Sequence, residues 1–162
     1  MPGRTENRLL SDFYKNASRC GRDVAITFNN ESLTYRDLEE KTDIYAKKIL
    51  LLCGFQQKAP LPRIALLGNN KLEMFSLELA ILRCGFIFVP IEYSEQPHVI
   101  ASKLQASSPA LTLLCMSDQN QNIASLEREI IKSSKNYLNQ HQFLQIPPPC
   151  LSLPDLPSGD NI

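Results

Sequence analysis

The chain has 162 residues, which is long enough for one domain with a hydrophobic core. Its 17 basic and 17 acidic residues give a formal net charge of zero, so no long-range field would attract a nucleic acid. No apolar stretch approaches the roughly 20 residues that cross a bilayer, and the first residues do not form a signal-like apolar run. We therefore expect a cytoplasmic protein with no membrane span and no nucleic-acid partner.

The five cysteines are far apart and include no Cys-x-x-Cys pair. An odd, dispersed set argues against a disulfide framework and against a zinc site. Three of them lie in apolar surroundings and are predicted to be small buried hydrophobic residues rather than nucleophiles. These three are Cys53, Cys84 and Cys115; the other two are Cys20 and Cys150.

The first third of the chain predicts a helix, a hairpin and a second helix. Apolar residues at helical spacing indicate an amphipathic helix over residues 7–18. The segments 24–28 and 32–35 flank an Asn-Asn pair and predict a small β-hairpin. Thr34 and Asp37 have the spacing of a capping box at the start of the next helix. That helix is expected to end at Gly54, and its predicted apolar stripe is Leu38, Ile44, Tyr45, Ile49 and Leu52.

The central part of the chain alternates short apolar strands with helices. Strands are predicted at residues 63–67, 86–91 and 110–116, and helices at 72–84 and 99–107. The strands are nearly all apolar, as is typical of parallel strands that are buried on both faces. This alternation predicts an α/β fold with a parallel sheet and right-handed crossovers. The residues expected to face inward from the first of these helices are Met74, Phe75, Leu77, Ala80 and Ile81.

The last third differs in character. Residues 123–138 predict an amphipathic helix with Leu126, Ile130 and Ile131 on one face. Five of the eleven prolines follow it, which indicates an extended linker or tail. The predicted organisation is thus a partial N-terminal subdomain over 1–116, a variable loop and helix over 117–144, and a proline-rich tail over 145–162.

Several segments, in order, resemble the N-terminal third of adenylate-forming (AMP-binding) enzymes, which include acyl-CoA synthetases and peptide-synthetase adenylation domains. Residues 33–38, Leu-Thr-Tyr-Arg-Asp-Leu, resemble the family's Leu-Thr-Tyr-x-Glu-Leu segment. Residues 82–91, Leu-Arg-Cys-Gly-Phe-Ile-Phe-Val-Pro-Ile, resemble its Leu-Lys-Ala-Gly-Ala-x-x-Val-Pro-Leu/Ile segment. Residues 64–70 resemble its strand and Pro-Asn-Ser turn, with Gly68 in place of the proline. Pro97, Leu104 and residues 108–110 resemble the helix and strand that follow in the family.

The resemblance implies a fragment of the large domain of a ligase that activates a small carboxylic acid as an acyl-adenylate. Such an enzyme uses ATP and magnesium and passes the acyl group to a thiol acceptor. Residues 89–92 and 50–53 resemble the β-alanine-activating, aminoadipate-semialdehyde-dehydrogenase-like branch. The resemblance also implies that residues 156–162 approach the family's phosphate-binding loop.

No catalytic, cofactor-binding or metal-binding residue of the family maps onto this sequence, since the 162 residues contain no Ser-Gly-Thr-Thr-Gly loop. We therefore expect the chain alone to be inactive and to need the rest of the ligase as its partner. Two alternatives stay open: a truncated, non-catalytic module that associates with a full-length paralogue, and a small flavodoxin-like nucleotide or flavin binder.

Five residues invite a functional interpretation beside a structural one. Glu92 follows a predicted strand, where open α/β sheets place ligands, although a surface position is the favoured interpretation. Gly85 is expected to end a helix rather than to admit a ligand, and Tyr35 to pack its ring rather than to stack on a base. His98 and His141 are both predicted to be exposed.

The remaining charged residues are predicted to be solvated. They lie on helix faces rather than beside any recognisable motif, and they are Lys47, Lys48, Glu127, Arg128, Glu129 and Lys132.

Overall fold

The computed structural model describes residues 7–53, 61–69, 71–116, 123–134, 138 and 141–146. These residues form five helices and six strands. In chain order they are α1 Arg8–Cys20, β1 Val24–Phe28, β2 Glu31–Thr34, α2 Tyr35–Cys53, β3 Arg63–Gly68, α3 Lys71–Arg83, β4 Ile87–Glu92, α4 Pro97–Ser107, β5 Leu111–Cys115, α5 Ile123–Ser133 and β6 Phe143–Ile146.

A four-stranded sheet in the order β4-β3-β5-β6 organises the molecule. All three pairings are parallel, and Gly68 at the end of β3 lies in register with Glu92 on one side and Cys115 on the other. The predicted parallel α/β fold is confirmed. Strand β6 was not predicted from the sequence, because its four residues follow polar residues and run directly into prolines.

Alternate side chains of the strands point to opposite faces of this sheet. Ile64 and Leu66 of β3 pack against α2 and α3, whereas Ala65 and Leu67 pack against α4 and α5. The central strands β3 and β5 are therefore buried on both faces, which explains their continuous apolar sequences.

The hairpin and the first helix form a third cluster beside the sheet. Phe13 of α1, Leu38 of α2 and Leu79 of α3 are its buried members. The strands β1 and β2 pair antiparallel, and Asn29 adopts a left-handed φ of 55° in the turn between them. Thr34 and Asp37 form the predicted capping box: the Thr34 N–H donates to the Asp37 carboxylate at 3.0 Å, and the Asp37 N–H donates to Thr34 Oγ1 at 3.2 Å.

Four details of the predicted strands and helices are wrong. Strand β4 is an edge strand of the described sheet, and its Ile87 is 41% exposed, so the segment is not fully buried. Its proline is compatible with an edge position, since a proline cannot donate to a ladder. Phe75 and Leu52 were expected to face inward but are 46% and 41% exposed. Helix α5 ends at Ser133 rather than at Leu138.

The segment that follows α5 is held by a hydrogen bond between Ser134 and Leu138. The Ser134 hydroxyl accepts the N–H of Leu138 at 3.1 Å, and Leu138 is buried against the α4/α5 face of the sheet. The helix end predicted at Gly54 and the tail residues 147–162 lie outside the described residues. The division of the chain at 116/117 and 144/145 stays a prediction, and β6 spans the second of these boundaries.

Candidate functional site

The carboxyl ends of β3, β4 and β5 meet at one edge of the sheet, where open α/β folds bind ligands. Gly68 is closely packed at this edge: a Cβ atom there would lie 2.0 Å from the Cys115 carbonyl oxygen. The Asn69 N–H donates to that same oxygen at 3.0 Å. Gly68 thus permits a close contact between two strands that a side chain at this position would prevent.

Glu92 lies at the end of β4, and its side chain is exposed. It lines a groove of 400 Å³ between α3 and β4, which we call the acidic groove. The Ser94 hydroxyl donates to Glu92 Oε1 at 3.4 Å. The α3 and β4 residues that line the groove are Met74, Phe75, Glu78, Phe88, Pro90, Ile91 and Glu92.

The charges around the acidic groove are unbalanced. Lys103 also lines it, and its ammonium group pairs with Glu95. Partial burial raises the pKa of Glu78 above its ordinary value. The groove therefore combines an apolar floor with one exposed carboxylate, Glu92, and one partly buried carboxylate, Glu78.

Gly85 ends helix α3, as predicted. It has a φ of 75°, and the N–H groups of Gly85 and Phe86 donate to the carbonyls of Leu82 and Ile81 at 2.9 and 3.2 Å. This pair of bonds is a Schellman motif, which requires a left-handed residue that glycine adopts without strain.

Tyr35 and His98 also have their predicted structural roles. The Tyr35 ring is half-buried in the hairpin cluster, with its centroid 6.4 Å from that of Phe13. His98 is exposed in the first turn of α4. Neither residue lines the acidic groove.

His141 contradicts its prediction, because it is half-buried rather than exposed. Its Nε2 lies 2.7 Å from Oγ1 of Thr112, a fully buried residue of β5, and its ring packs edge-on against Phe143. Burial lowers the pKa of His141. The sequence signal was weak, since the two glutamines that neighbour His141 suggested a solvated loop and β6 was not recognised.

The cysteines behave largely as predicted. Cys84 and Cys115 are buried, and Cys53 is half-buried. Burial raises the pKa of the Cys84 thiol to about 11, and burial also raises that of Cys53. A raised pKa lowers the thiolate fraction at neutral pH, so neither residue is an activated nucleophile. Cys150 lies outside the described residues.

Most of the charged residues expected on helix faces are exposed, namely Lys47, Arg128, Glu129 and Lys132. Lys48 and Glu127 are half-buried. Lys48 lines a second groove of 310 Å³ between α2 and the β5–β6 end of the sheet, which we call the α2–β6 groove. Its apolar walls include Leu51, Leu52, Leu113 and Leu144.

A buried polar network between α2 and α3 was not predicted. Glu73 is 4% exposed, its Oε2 accepts the Lys41 ammonium at 2.9 Å, and its Oε1 accepts the Tyr45 hydroxyl. Lys41 and Tyr45 are four residues apart on α2, so their side chains lie on one face. That spacing, with Tyr45 already in the predicted stripe, was the available signal. The network joins two helices and has no exposed reactive group.

Neither a metal site nor a membrane-crossing helix occurs in the part of the chain that the structure describes. Its residues include no group of three or more His, Cys, Asp or Glu side chains that could hold a metal ion. Its helices are too short or too polar to cross a bilayer.

Comparison with known proteins identifies the family. Residues 13–148 match the AMP-binding enzyme family. Surfactin synthase subunit 1 of Bacillus subtilis is 33% identical over 113 residues, which are 70% of this chain and 3% of that protein. Bacitracin synthase 3 of Bacillus licheniformis is 31% identical over 112 residues, 69% of this chain and 2% of that protein. The chain thus spans only a few per cent of these curated relatives.

Solved structures share the fold at low sequence identity. A mutant form of coronafacic acid ligase from Pectobacterium brasiliense has a TM-score of 0.66 and 19% identity, with 85% of this chain and 25% of that chain covered. NpsA of Klebsiella oxytoca, in complex with 3-hydroxyanthranilyl-AMSN, has a TM-score of 0.60 and 18% identity, with 85% and 24% covered. The chain belongs to the AMP-binding enzyme family and shares its α/β fold with the N-terminal domain of these solved structures.

Proposed function

We propose that this chain is part of an ATP-dependent ligase that converts a small carboxylic acid into an acyl-adenylate and then transfers the acyl group to a thiol. The observation that carries the proposal is the family match over residues 13–148. The family-like segments also have the structural roles expected of a scaffold. Residues 33–38 form the capped start of α2, and residues 82–91 form the end of α3 and most of β4.

In this proposal the chain contributes scaffold rather than chemistry. Its sequence lacks the Ser-Gly-Thr-Thr-Gly loop, and Gly68 at the sheet edge is in close contact with the backbone of Cys115. ATP and magnesium would be bound by the rest of the ligase, so the 162 residues alone are inactive. The rest of the ligase is then the principal partner, and the whole enzyme acts in the cytoplasm.

The substrate assignment is narrower and rests on two short segments. Residues 89–92 and 50–53 resemble the β-alanine-activating branch, so we propose β-alanine as the first acid to test. The thiol acceptor would be coenzyme A or a phosphopantetheine arm.

An exchange assay tests this proposal in two steps. The purified chain is first assayed for ATP–pyrophosphate exchange with β-alanine and a panel of other acids, and we expect the rate to equal the no-enzyme rate. Residues 13–146 are then substituted for the matching segment of the surfactin synthase adenylation domain. We expect this hybrid protein to catalyse ATP–pyrophosphate exchange.

The matched control is the same hybrid carrying Gly68→Val, in which the strand contact cannot form. Exchange by the chain alone would disprove its inactivity. A hybrid that folds but never exchanges would count against the ligase scaffold.

A second candidate function is a non-catalytic module that binds a full-length paralogue. The observation in its favour is the edge strand β4 with its exposed Ile87, since exposed edges pair with other chains. Light scattering after size-exclusion chromatography of the chain, alone and mixed with a full-length ligase, distinguishes the two functions. A monomer that does not co-elute with the ligase rejects the module.

A further inference from the structure

The acidic groove has an unusual combination of surfaces for a region outside the packed core. Its apolar side is formed by Met74 and Phe75 of α3 and by Phe88 and Pro90 of β4. Phe75 is 46% exposed, although it lies in the middle of a helix that is otherwise packed between α2 and the sheet. Phe75 thus adds an exposed aromatic side chain to a groove whose lining also contains carboxylates.

The rim of this groove has a net negative charge. Glu78 and Glu92 both line it, and among the described residues its one lining cation, Lys103, already pairs with Glu95. Partial burial raises the pKa of Glu78, so its carboxylate is incompletely hydrated. A cation placed between Glu78 and Glu92 would offset that loss of hydration. The same charges would repel a carboxylic acid or a nucleotide phosphate.

The backbone of β4 limits how a partner segment can pair with this edge of the sheet. The N–H of Ile87 donates to the Pro62 carbonyl at 2.9 Å, so in a parallel ladder residues 87, 89 and 91 face β3. The backbone polar groups of Phe88, Pro90 and Glu92 consequently point away from β3. Pro90 has no N–H, and it interrupts any continuous strand addition at this edge. The edge therefore disfavours indiscriminate strand pairing and allows only a short segment held by its side chains.

We propose that the acidic groove binds a short segment of a partner protein in which an arginine or lysine lies next to large apolar side chains. The apolar side chains pack on Phe75 and Phe88, and the basic residue pairs with Glu78 and Glu92. A polypeptide matches both the apolar floor and the backbone groups of β4, which a small amine does not. This interaction goes beyond acid activation and does not depend on the proposed ligase function.

A titration followed by NMR tests the proposal without ATP. The ¹⁵N-labelled chain is titrated with an acetylated and amidated hexapeptide of alternating valine and arginine. A hexapeptide of alternating valine and glutamate is the control probe. We expect saturable amide shifts at residues 74–78 and 87–92 with the arginine peptide and none with the glutamate peptide.

Variants distinguish a specific site from general charge attraction. Replacing both carboxylates, Glu78→Gln with Glu92→Gln, should weaken binding about 10-fold, as expected for two partly solvated charge contacts. The matched control, Glu40→Gln with Glu129→Gln, changes the net charge equally at two exposed sites on other helices and should leave the Kd within about 2-fold. Phe75→Ser tests the apolar floor and should also weaken binding, about 5-fold. Circular dichroism melts verify that each variant is folded.

Three results would overturn the proposal. The first is an equal response to the arginine and glutamate peptides. The second is an equal loss in the two double variants. The third is a set of shifts centred on Leu51, Leu52 and Leu144, which would place the peptide in the α2–β6 groove instead. Because no step of this experiment measures exchange, its failure and the failure of the ligase proposal are distinguishable.

Discussion

The two sides of helix α3 use the same residue types for different purposes. On the side that packs against α2 and the sheet, Glu73 is buried with two partners and Leu77 is 1% exposed. On the side that faces the acidic groove, Glu78 lines the rim and Phe75 is half-exposed. The comparison indicates that polar and apolar groups on the first side stabilise the fold, whereas those on the second side are available to a partner. Substitutions on the two sides should therefore have unequal effects on stability.

The largest difference is expected for the two apolar residues. Leu77→Ala removes a fully buried side chain beside the α2–β6 groove and should lower the free energy of unfolding by about 3.5 kcal/mol, because the lost contacts leave a cavity. Phe75→Ala should cost about 1 kcal/mol, since almost half of that side chain is already in water. Urea unfolding of both variants measures the difference. Equal losses would show that the groove side of α3 is as structural as the other.

Replacement of the two carboxylates, Glu73 and Glu78, should change the free energy of unfolding by amounts that differ almost as much. Glu73→Ala removes the carboxylate that the Lys41 ammonium and the Tyr45 hydroxyl both contact, and it should lower the free energy of unfolding by about 3 kcal/mol. The matched variant Glu78→Ala removes no ion pair in the described residues and should be nearly neutral. Thermal melts of the two proteins at pH 7 test this. A Glu73→Ala protein as stable as the original would mean that the buried network contributes nothing net.

Much of the fold could be predicted from the sequence because the patterns that determine it involve residues close together in the chain. The 63–67 and 110–116 segments are apolar throughout, and this pattern is what a parallel strand buried on both faces requires. Thr34, Asp37 and Gly85 were assigned correctly because capping motifs depend on residues only a few positions apart.

The remaining features depend on contacts between distant segments. Strand β6 exists through its pairing with β5, and His141 is half-buried only because β6 brings it to Thr112. Phe75 was assigned to the core by helical periodicity, but the position of the sheet edge decides which side of α3 is covered. Glu73 was missed for the same reason, since its two partners are contributed by another helix.

The hydroxyl of Tyr45 isolates one contact of the buried network. Tyr45→Phe keeps the ring in the core and removes only the group that donates to Glu73, so we expect a loss of about 1 kcal/mol. Chemical unfolding of this variant and of Tyr35→Phe, whose ring packs in the hairpin cluster, provides the comparison. A Tyr45→Phe protein that matches the original would assign the stability of the network to the Lys41–Glu73 pair alone.

The smallest effect on the free energy of unfolding is expected for Glu78→Gln. This substitution should stabilise the chain, whereas Glu73→Ala should destabilise it. Because burial raises the pKa of Glu78, the folded chain holds that proton more tightly than the unfolded chain. Its contribution is therefore complete below the unfolded pKa of about 4.3 and is lost as the pH rises through the folded value. Glu78→Gln removes this loss and should stabilise the chain at pH 7 by about 0.5 kcal/mol or less, since solvent screens a half-exposed group.

The gain from Glu78→Gln should shrink as the pH falls toward 4, because the original glutamate is then protonated as well. Urea midpoints of the two proteins between pH 4 and pH 8 measure this convergence. A variant that is less stable at pH 7 would show that Glu78 has a stabilising cationic partner in the free chain. In that case the two sides of α3 would not differ in kind, and the basic residue of a partner would have to displace an existing contact in the groove.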